Sequence, residues 1–228
     1  GSANYPSTFK QSIVSPFIKK PSLDAECLSN YRPISNLSFI SKLTVRFVKE
    51  RLQEHLAHNS LFNIFQSAYT KLHSTETALL ALHDHFVCTM AKQQVTCLCL
   101  LDLSAAFDTI DHTILLHRLT DWFGITGSAL SWFESYLTSR SFIVSSCGFK
   151  YSSTQLSCGV PQGSVLGPLL FIMYTTPISF LLSASPVKHH ADDTQLFISF
   201  SPVTYSTNVT HLHYVFCDVS NGMSANSL

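Results

Sequence analysis

Three aspartates have the type and placement for metal-assisted chemistry. Asp102 closes the apolar run VTCLCLL, and Asp192 and Asp193 form an adjacent pair in the turn of an expected hairpin much further along the chain. If the strands that carry them are neighbours, three carboxylates converge. Like charges raise one another's pKa, so such a cluster needs a counter-charge. Mg²⁺ supplies one, because it takes oxygen ligands from one or two carboxylates and completes its shell with water and substrate phosphate. Two ions about 4 Å apart then activate a hydroxyl and stabilise the leaving oxygen of an in-line phosphoryl displacement. Aspartate also favours turns, so an acidic pair by itself is more often turn chemistry than a site.

The elements that must position these residues can be read from periodicity. Residues 95–103 are a short continuous apolar run, fit for a buried strand, and TQLFISF at 194–200 reads as a strand after a tight turn. Between Asn36 and His58, Leu43, Phe47, Leu52 and Leu56 recur at helical spacing, with Asn59 as the stop. A second helix is expected from Thr75 to Lys92, capped by Ser74, with Glu76 at its positive end and a stripe of Leu82, Phe86 and Met90. Helices follow at about 111–123 and 128–138, separated by Gly124 and Gly127. SFIVSSC (141–147) and YSSTQLSC (151–158) read as a hairpin with Gly148 near the turn. GVPQGSVLGPLLFIMY is a glycine-punctuated loop entering a helix, and residues 207–220 read as helical. Helices and strands mix without strict βαβ alternation, which gives an α+β class.

Composition bounds the function classes. The 228 residues are 46% hydrophobic, enough for a packed core of one large or two small domains. No apolar run reaches the roughly 18 residues of a membrane span, so no membrane association is expected. GSANYPSTFK has neither a starting Met nor a signal-peptide core and reads as a piece of a longer polypeptide. The net charge is zero, yet residues 1–71 hold nine Lys/Arg against four Asp/Glu, and residues 72–228 hold five against ten. A basic half and an acidic half suit a protein that grips a polyanion at one end and places metal ions at the other; an uneven solvated surface would look the same. Seven scattered cysteines without a CxxC pair favour a reducing, intracellular setting, with Cys97 and Cys99 as small buried hydrophobes. His189/His190 and His211/His213 raise a zinc-binding domain as a rival, although no cysteine stands at ligand spacing beside them in sequence.

The residues around the aspartates carry a more specific signal. NYRPISNLSFISK (30–42), HSTETALL (73–80), LLDLSAAFDTIDH (100–112), CGVPQGSVLGPLLF (158–171), ADDTQLF (191–197) and, loosely, CDVSNGMSAN (217–226) occur in one order and cover nearly the whole chain. This set resembles the reverse transcriptases of LINE-type (non-LTR) retrotransposons, most closely the vertebrate jockey-like group. The resemblance implies a right-hand polymerase architecture. Fingers-like residues would run to about 94 and a palm from about 95 to 228, with an antiparallel palm sheet covered by helices and the thumb absent. It implies an RNA-directed DNA polymerase that extends a primer 3′-hydroxyl with dNTPs on an RNA template, using two Mg²⁺ with Mn²⁺ as a substitute. The partners would be the RNA template, the DNA primer and the rest of the polyprotein, its endonuclease and thumb lying outside this chain. The setting would be intracellular, and nuclear during integration.

Position by position, the resemblance implies metal ligation by Asp102, Asp192, Asp193 and the backbone carbonyl of Leu103. Phe107 matches a steric gate, a ring packed under the sugar that leaves no room for a 2′-hydroxyl. Gln162 and Gly163 fall in the loop that holds the template and the incoming pair, with Gly159 and Gly163 letting backbone approach a nucleotide. Lys71 and Arg32 would reach phosphates. Three features depart from the family pattern. His190 replaces an aromatic near the primer end, Ala68-Tyr69-Thr70 replaces Gly-Phe-Arg in the fingers loop, and Gly222 stands for Trp. They raise a second expectation, a catalytically inactive remnant that keeps the fold and RNA binding.

Overall fold

The computed structural model describes residues 4–224 apart from 64, 65, 67, 68, 70, 71, 102–106, 147, 182–186, 191, 192, 205–209, 211, 212, 215, 216, 218, 219 and 223. They form a mixed α+β fold divided into two compact units, Gly1–Leu61 with Phe107–Met173 and Phe62–Ala106 with Tyr174–Leu228.

The first unit is built on a mixed sheet in the order β2-β1-β4-β5, with β6 also on β4. Its strands are β1 (Gln11–Ile18), β2 (Tyr31–Asn36), β4 (Arg140–Ser146), β5 (Phe149–Lys150) and β6 (Thr154–Leu156). β1 runs antiparallel to β2 and parallel to β4. Neither β1 nor β2 is expected from the sequence, because both contain a proline. The register explains how the prolines fit: Pro16 pairs with Pro33 on β2, beyond the Gln11–Val14 segment that β4 covers, so no ladder donor is required of Pro16 on the β4 side. The expected hairpin is present, with Gly148 at φ 82 in its turn.

The helices of this unit are α1 (Phe39–His58), α3 (His112–Asp121) and α4 (Gly127–Leu137), and the first two begin on side-chain caps. The Ser38 side chain accepts from Ser41 N, and Asp111 Oδ1 accepts from Ile114 N at 2.9 Å. Asn59 ends α1 as expected. The buried face of α1 differs from the expected stripe. Leu52 and Leu56 are buried, but upstream it is Ser41 and Val45 that turn inward, while Leu43 and Phe47 are exposed. Tyr5 accounts for this: its hydroxyl lies 2.6 Å from Ser41 Oγ, and its ring meets Tyr136 edge-on at 5.1 Å. A hydrogen-bonded serine is thereby seated where a leucine was expected.

The second unit holds an antiparallel three-stranded sheet in the order β3-β8-β7, from β3 (Val95–Leu101), β7 (Val187–His190) and β8 (Asp193–Phe200). Helix α2 (Thr75–Ala91) carries the expected Ser74 cap as a full capping box with Thr77. Polar contacts tie it to the sheet: His85 Nε2 lies 2.9 Å from Ser199 Oγ, which lies 2.8 Å from Thr96 Oγ1, itself 3.1 Å from Thr89 Oγ1. Of the expected stripe, Met90 is exposed and Thr89 is the buried residue. Cys97 and Cys99 are half-buried, not core, and burial and the Cys97 thiol push the Cys99 thiol up. Helix α5 (Gly167–Leu181) follows the glycine-rich loop, and Leu169–Thr176 is buried throughout. The helix expected over 207–220 falls largely outside the described residues. Among the described residues no helix is long and apolar enough to cross a membrane.

Candidate metal and nucleic-acid site

The β3–β8–β7 sheet sets where the acidic residues can stand. Apolar and β-branched residues keep β3 and β8 paired along their whole length, from Val95 opposite Phe200 to Leu101 opposite Thr194. Thr194 also pairs with His189, and Asp193 with His190 across the hairpin. Asp193 is therefore the first residue of the central strand, one position before the residue that faces Leu101. Asp102, which follows Leu101, lies outside the described residues, as do Leu103, Asp192 and Lys71. Of the metal-binding set, only the backbone of Asp193 is therefore placed. Among the described residues no group of three His, Cys, Asp or Glu side chains could hold a metal ion.

The first unit holds the other expected residues. Gly159 N donates to Ile110 O at 2.7 Å, and Val160 N donates to Phe107 O at 2.8 Å, pinning the start of the glycine-rich loop to the segment after Phe107. His112 Nε2 donates to Gly159 O at 2.7 Å from the other side. Gly159 has φ +79, and a Cβ there would stand 2.8 Å from Asp108 Cα and O and 2.9 Å from Phe107 O. What a side chain here would meet is protein backbone, which only glycine admits this closely. Gly163 (φ +96) likewise sits beside Ser35 O, while Ser35 N donates to Gln162 O at 2.9 Å. The loop is thus held to β2.

Phe107 is half-buried, its ring 5.2 Å from that of the buried Phe171. Arg32 is exposed on β2, paired with Phe17. Gln162 keeps its side-chain Oε1 buried without a hydrogen-bond partner. Next to Phe107, burial pushes the Asp108 carboxyl above its ordinary value. Neither Asp108 nor the fully buried Arg140 carries a sequence signal: an acid three residues before a helix cap and an arginine at a strand start look like surface residues. Of the histidines weighed for zinc, His189 and His190 lie in β7, and His211 is outside the described residues. His213 Nδ1 comes within 3.7 Å of Cys217 Sγ, one helical turn on.

Residues 18–215 match the family model described as reverse transcriptase (RNA-dependent DNA polymerase). The chain is 28% identical over 213 residues to the probable RNA-directed DNA polymerase from transposon BS of Drosophila melanogaster, covering 93% of this chain and 22% of that protein. It is 28% identical over 158 residues to the RNA-directed DNA polymerase from mobile element jockey of Drosophila funebris, covering 69% of this chain and 17% of that protein. The chain thus spans about a fifth of the length of these curated relatives. In fold it is similar to apo telomerase from Candida tropicalis, with a TM-score of 0.63 at 14% identity, covering 96% of this chain and 43% of that one. The family match across most of the chain establishes that this chain belongs to the reverse transcriptase (RNA-dependent DNA polymerase) family.

Proposed function

We propose that the chain is the RNA-directed DNA polymerase part of a jockey-like non-LTR retrotransposon, extending a primer 3′-hydroxyl with dNTPs on an RNA template. The observation that carries this reading is the sheet register: Leu101, the residue before Asp102, faces Thr194, the residue after Asp193. Neighbouring strands lie about 4.8 Å apart, so the strand that runs up to Asp102 in sequence is the direct neighbour of the strand that begins at Asp193. The vertebrate placement within the jockey-like group rests on the sequence motifs alone.

Asp102, Asp192, Asp193 and the Leu103 carbonyl make an all-oxygen donor set, which suits Mg²⁺ or Mn²⁺ better than zinc. When bound, two such ions supply charge stabilisation to the attacking and leaving oxygens of the displacement. The remaining work falls to the chain. Phe107, wedged on Phe171, acts as a fixed wall against a 2′-hydroxyl. Gln162 and Gly163, tied to β2, hold the template side. Lys71 and Arg32 meet phosphates. In this reading residues to about 94 are fingers-like and those from about 95 are palm. Other segments of the polypeptide would supply the thumb and endonuclease, acting in the nucleus during integration.

His190 and Ala68-Tyr69-Thr70 favour a second reading, a fold that binds RNA without polymerising. Each departs from the family pattern at a substrate-positioning place, and small misplacements cost about a hundredfold in rate. Primer extension on an RNA template with Mg²⁺, then Mn²⁺, separates the two. The expected result is weak synthesis by this chain and clear synthesis after His190→Tyr with Thr70→Arg. Failure of the repaired, folded chain would favour the non-polymerising reading.

A further inference from the structure

A surface helix packs one face and is polar on the other, yet the outward face of α1 is apolar. Its buried residues Ser41, Val45, Leu52 and Leu56 fall on one side. Successive residues turn by about 100°, which puts Phe39, Ile40, Leu43 and Phe47 on the opposite side. Each of these four is between 42% and 75% exposed. Large hydrophobics exposed singly are ordinary, but four in one stripe along a helix mark a contact surface. Phe47 also lines a pocket of about 510 Å³ that α1 forms with α4, its walls including Leu52, Ile125, Trp132 and Phe133. The stripe therefore runs into a concave apolar end.

The charges beside the stripe say what covers it. Between Phe39 and Lys49 the helix holds Lys42, Arg46 and Lys49 and no acid. The same 100° step sets these three along one border of the stripe. None of them has an ion-pair partner among the described residues. Arg51, at the pocket, adds a fourth cation, although it pairs with Glu54 at 3.2 Å. Glu50 and Glu54 come only where the stripe ends.

We propose that α1 is the docking surface for an amphipathic helix of a partner protein segment, one whose apolar stripe is bordered by aspartate or glutamate. The stripe seats on Phe39, Leu43 and Phe47, a large side chain enters the pocket, and the bordering carboxylates meet Lys42, Arg46 and Lys49. From Phe39 to Phe47 the row is about 12 Å long, two helical turns. It offers a partner's i, i+4 ridge the usual helix-on-helix contact, with anchor residues setting the register. An anionic membrane suits the face less, because Glu50 and Glu54 lie on the same side as the stripe. RNA suits it less, because a phosphate backbone gains nothing from Ile40 and Leu43. A second copy would bring the same uncompensated cations to the contact.

The test titrates the intact chain into two fluorescein-labelled peptides and follows anisotropy. Both are about 18 residues, long enough to be helical, with Leu, Leu and Trp at i, i+4 and i+7. One borders this stripe with Glu and the other with Lys. The Glu peptide is expected to bind about tenfold more tightly than the Lys peptide, a preference that shrinks with salt. Phe47→Ser and Leu43→Ser should each weaken the Glu peptide about tenfold, with Tm unchanged because both side chains are exposed. Lys42→Glu with Arg46→Glu should remove the preference. Equal binding of both peptides, or no binding of either at about 1 mM, would overturn the proposal. Binding that Phe47→Ser leaves unchanged would place the contact elsewhere and overturn it as well. Sedimentation, RNA binding and phosphatidylserine-vesicle binding of Phe47→Ser complete the test. Loss of one of these without loss of peptide binding would assign the face to a second copy, to RNA or to a membrane, and the helix assignment would fail.

Discussion

Replacing Gly159 by alanine probes the joint between the Phe107–Asp108 segment and the loop that carries Gln162. The new Cβ would meet Asp108 Cα and O at 2.8 Å and Phe107 O at 2.9 Å, all backbone atoms that cannot rotate away. At φ +79 an L-residue also costs about 1–2 kcal/mol. Forcing two backbone segments apart adds about 1–3 kcal/mol, the usual scale of overpacking. Alanine recovers about 0.4–1 kcal/mol by restricting the unfolded chain, leaving a net loss of about 3 kcal/mol. Gly148→Ala is the control, with φ +82 and nothing within 4 Å, so only about 1 kcal/mol of strain remains after that recovery. Gly163→Ala falls between, its Cβ 3.3 Å from Ser35 O. For a chain of this length 1 kcal/mol moves Tm by about 2–4 °C, so Gly159→Ala should melt about 6–12 °C below the parent. Thermal melts followed by near-ultraviolet circular dichroism, checked by urea titration, measure the series. If Gly159→Ala melts together with Gly148→Ala, the backbone contact does not hold the loop and the reasoning fails.

Other perturbations test the electrostatics. Asp108 has a folded pKa raised by burial above the ordinary 3.8, so the folded state holds its proton longer. Stability should fall as pH rises from about that value through the folded pKa, and Asp108→Asn should flatten the fall in pH-dependent urea melts; an unchanged profile would remove burial as the cause. Asp193→Asn should weaken Mn²⁺ binding in calorimetric titration while metal-free stability stays level or rises, because a repulsive carboxylate is gone. A large metal-free loss would instead mark Asp193 as structural. Affinity for an RNA–DNA hybrid should fall steeply with salt, and Lys19→Glu with Lys20→Glu should reduce the log–log slope by about one for each phosphate that is no longer neutralised. Salt-independent binding would refute a phosphate-gripping role for this exposed basic stretch.

What could be read from the sequence was local. Ser74 and Asn59 mark helix ends by their own side-chain chemistry, and the alternation around Gly148 marks the hairpin, so these elements stand where periodicity puts them. Non-local pairing escaped. β1 is strand only because β4, far along the chain, lies parallel to it, and Pro16 and Pro33 hid it. Helix α1 has two apolar stripes in its first half, and the side that packs was decided by Tyr5 reaching Ser41, which spacing within the helix cannot show. The same limit applies to the sites. Asp193 stood out because acids at a strand turn carry a chemical meaning, whereas Arg140 acquires its meaning only from burial against Tyr136 and Tyr5. Gly159 was legible as a position requiring freedom, but the Asp108 and Phe107 backbone beside it lies far off in sequence and could not be read from spacing.

In the proposed function, Asp102 and Asp193 share the metal chemistry of RNA-templated DNA synthesis. The most direct measurement is dNTP incorporation on a primed RNA template with Mn²⁺, in the His190→Tyr, Thr70→Arg background, with Asp102→Asn and Asp193→Asn compared individually. Each substitution should lower incorporation by about a hundredfold or more, while folding and hybrid binding stay intact. Incorporation that survives either substitution at close to the full rate would contradict the claim.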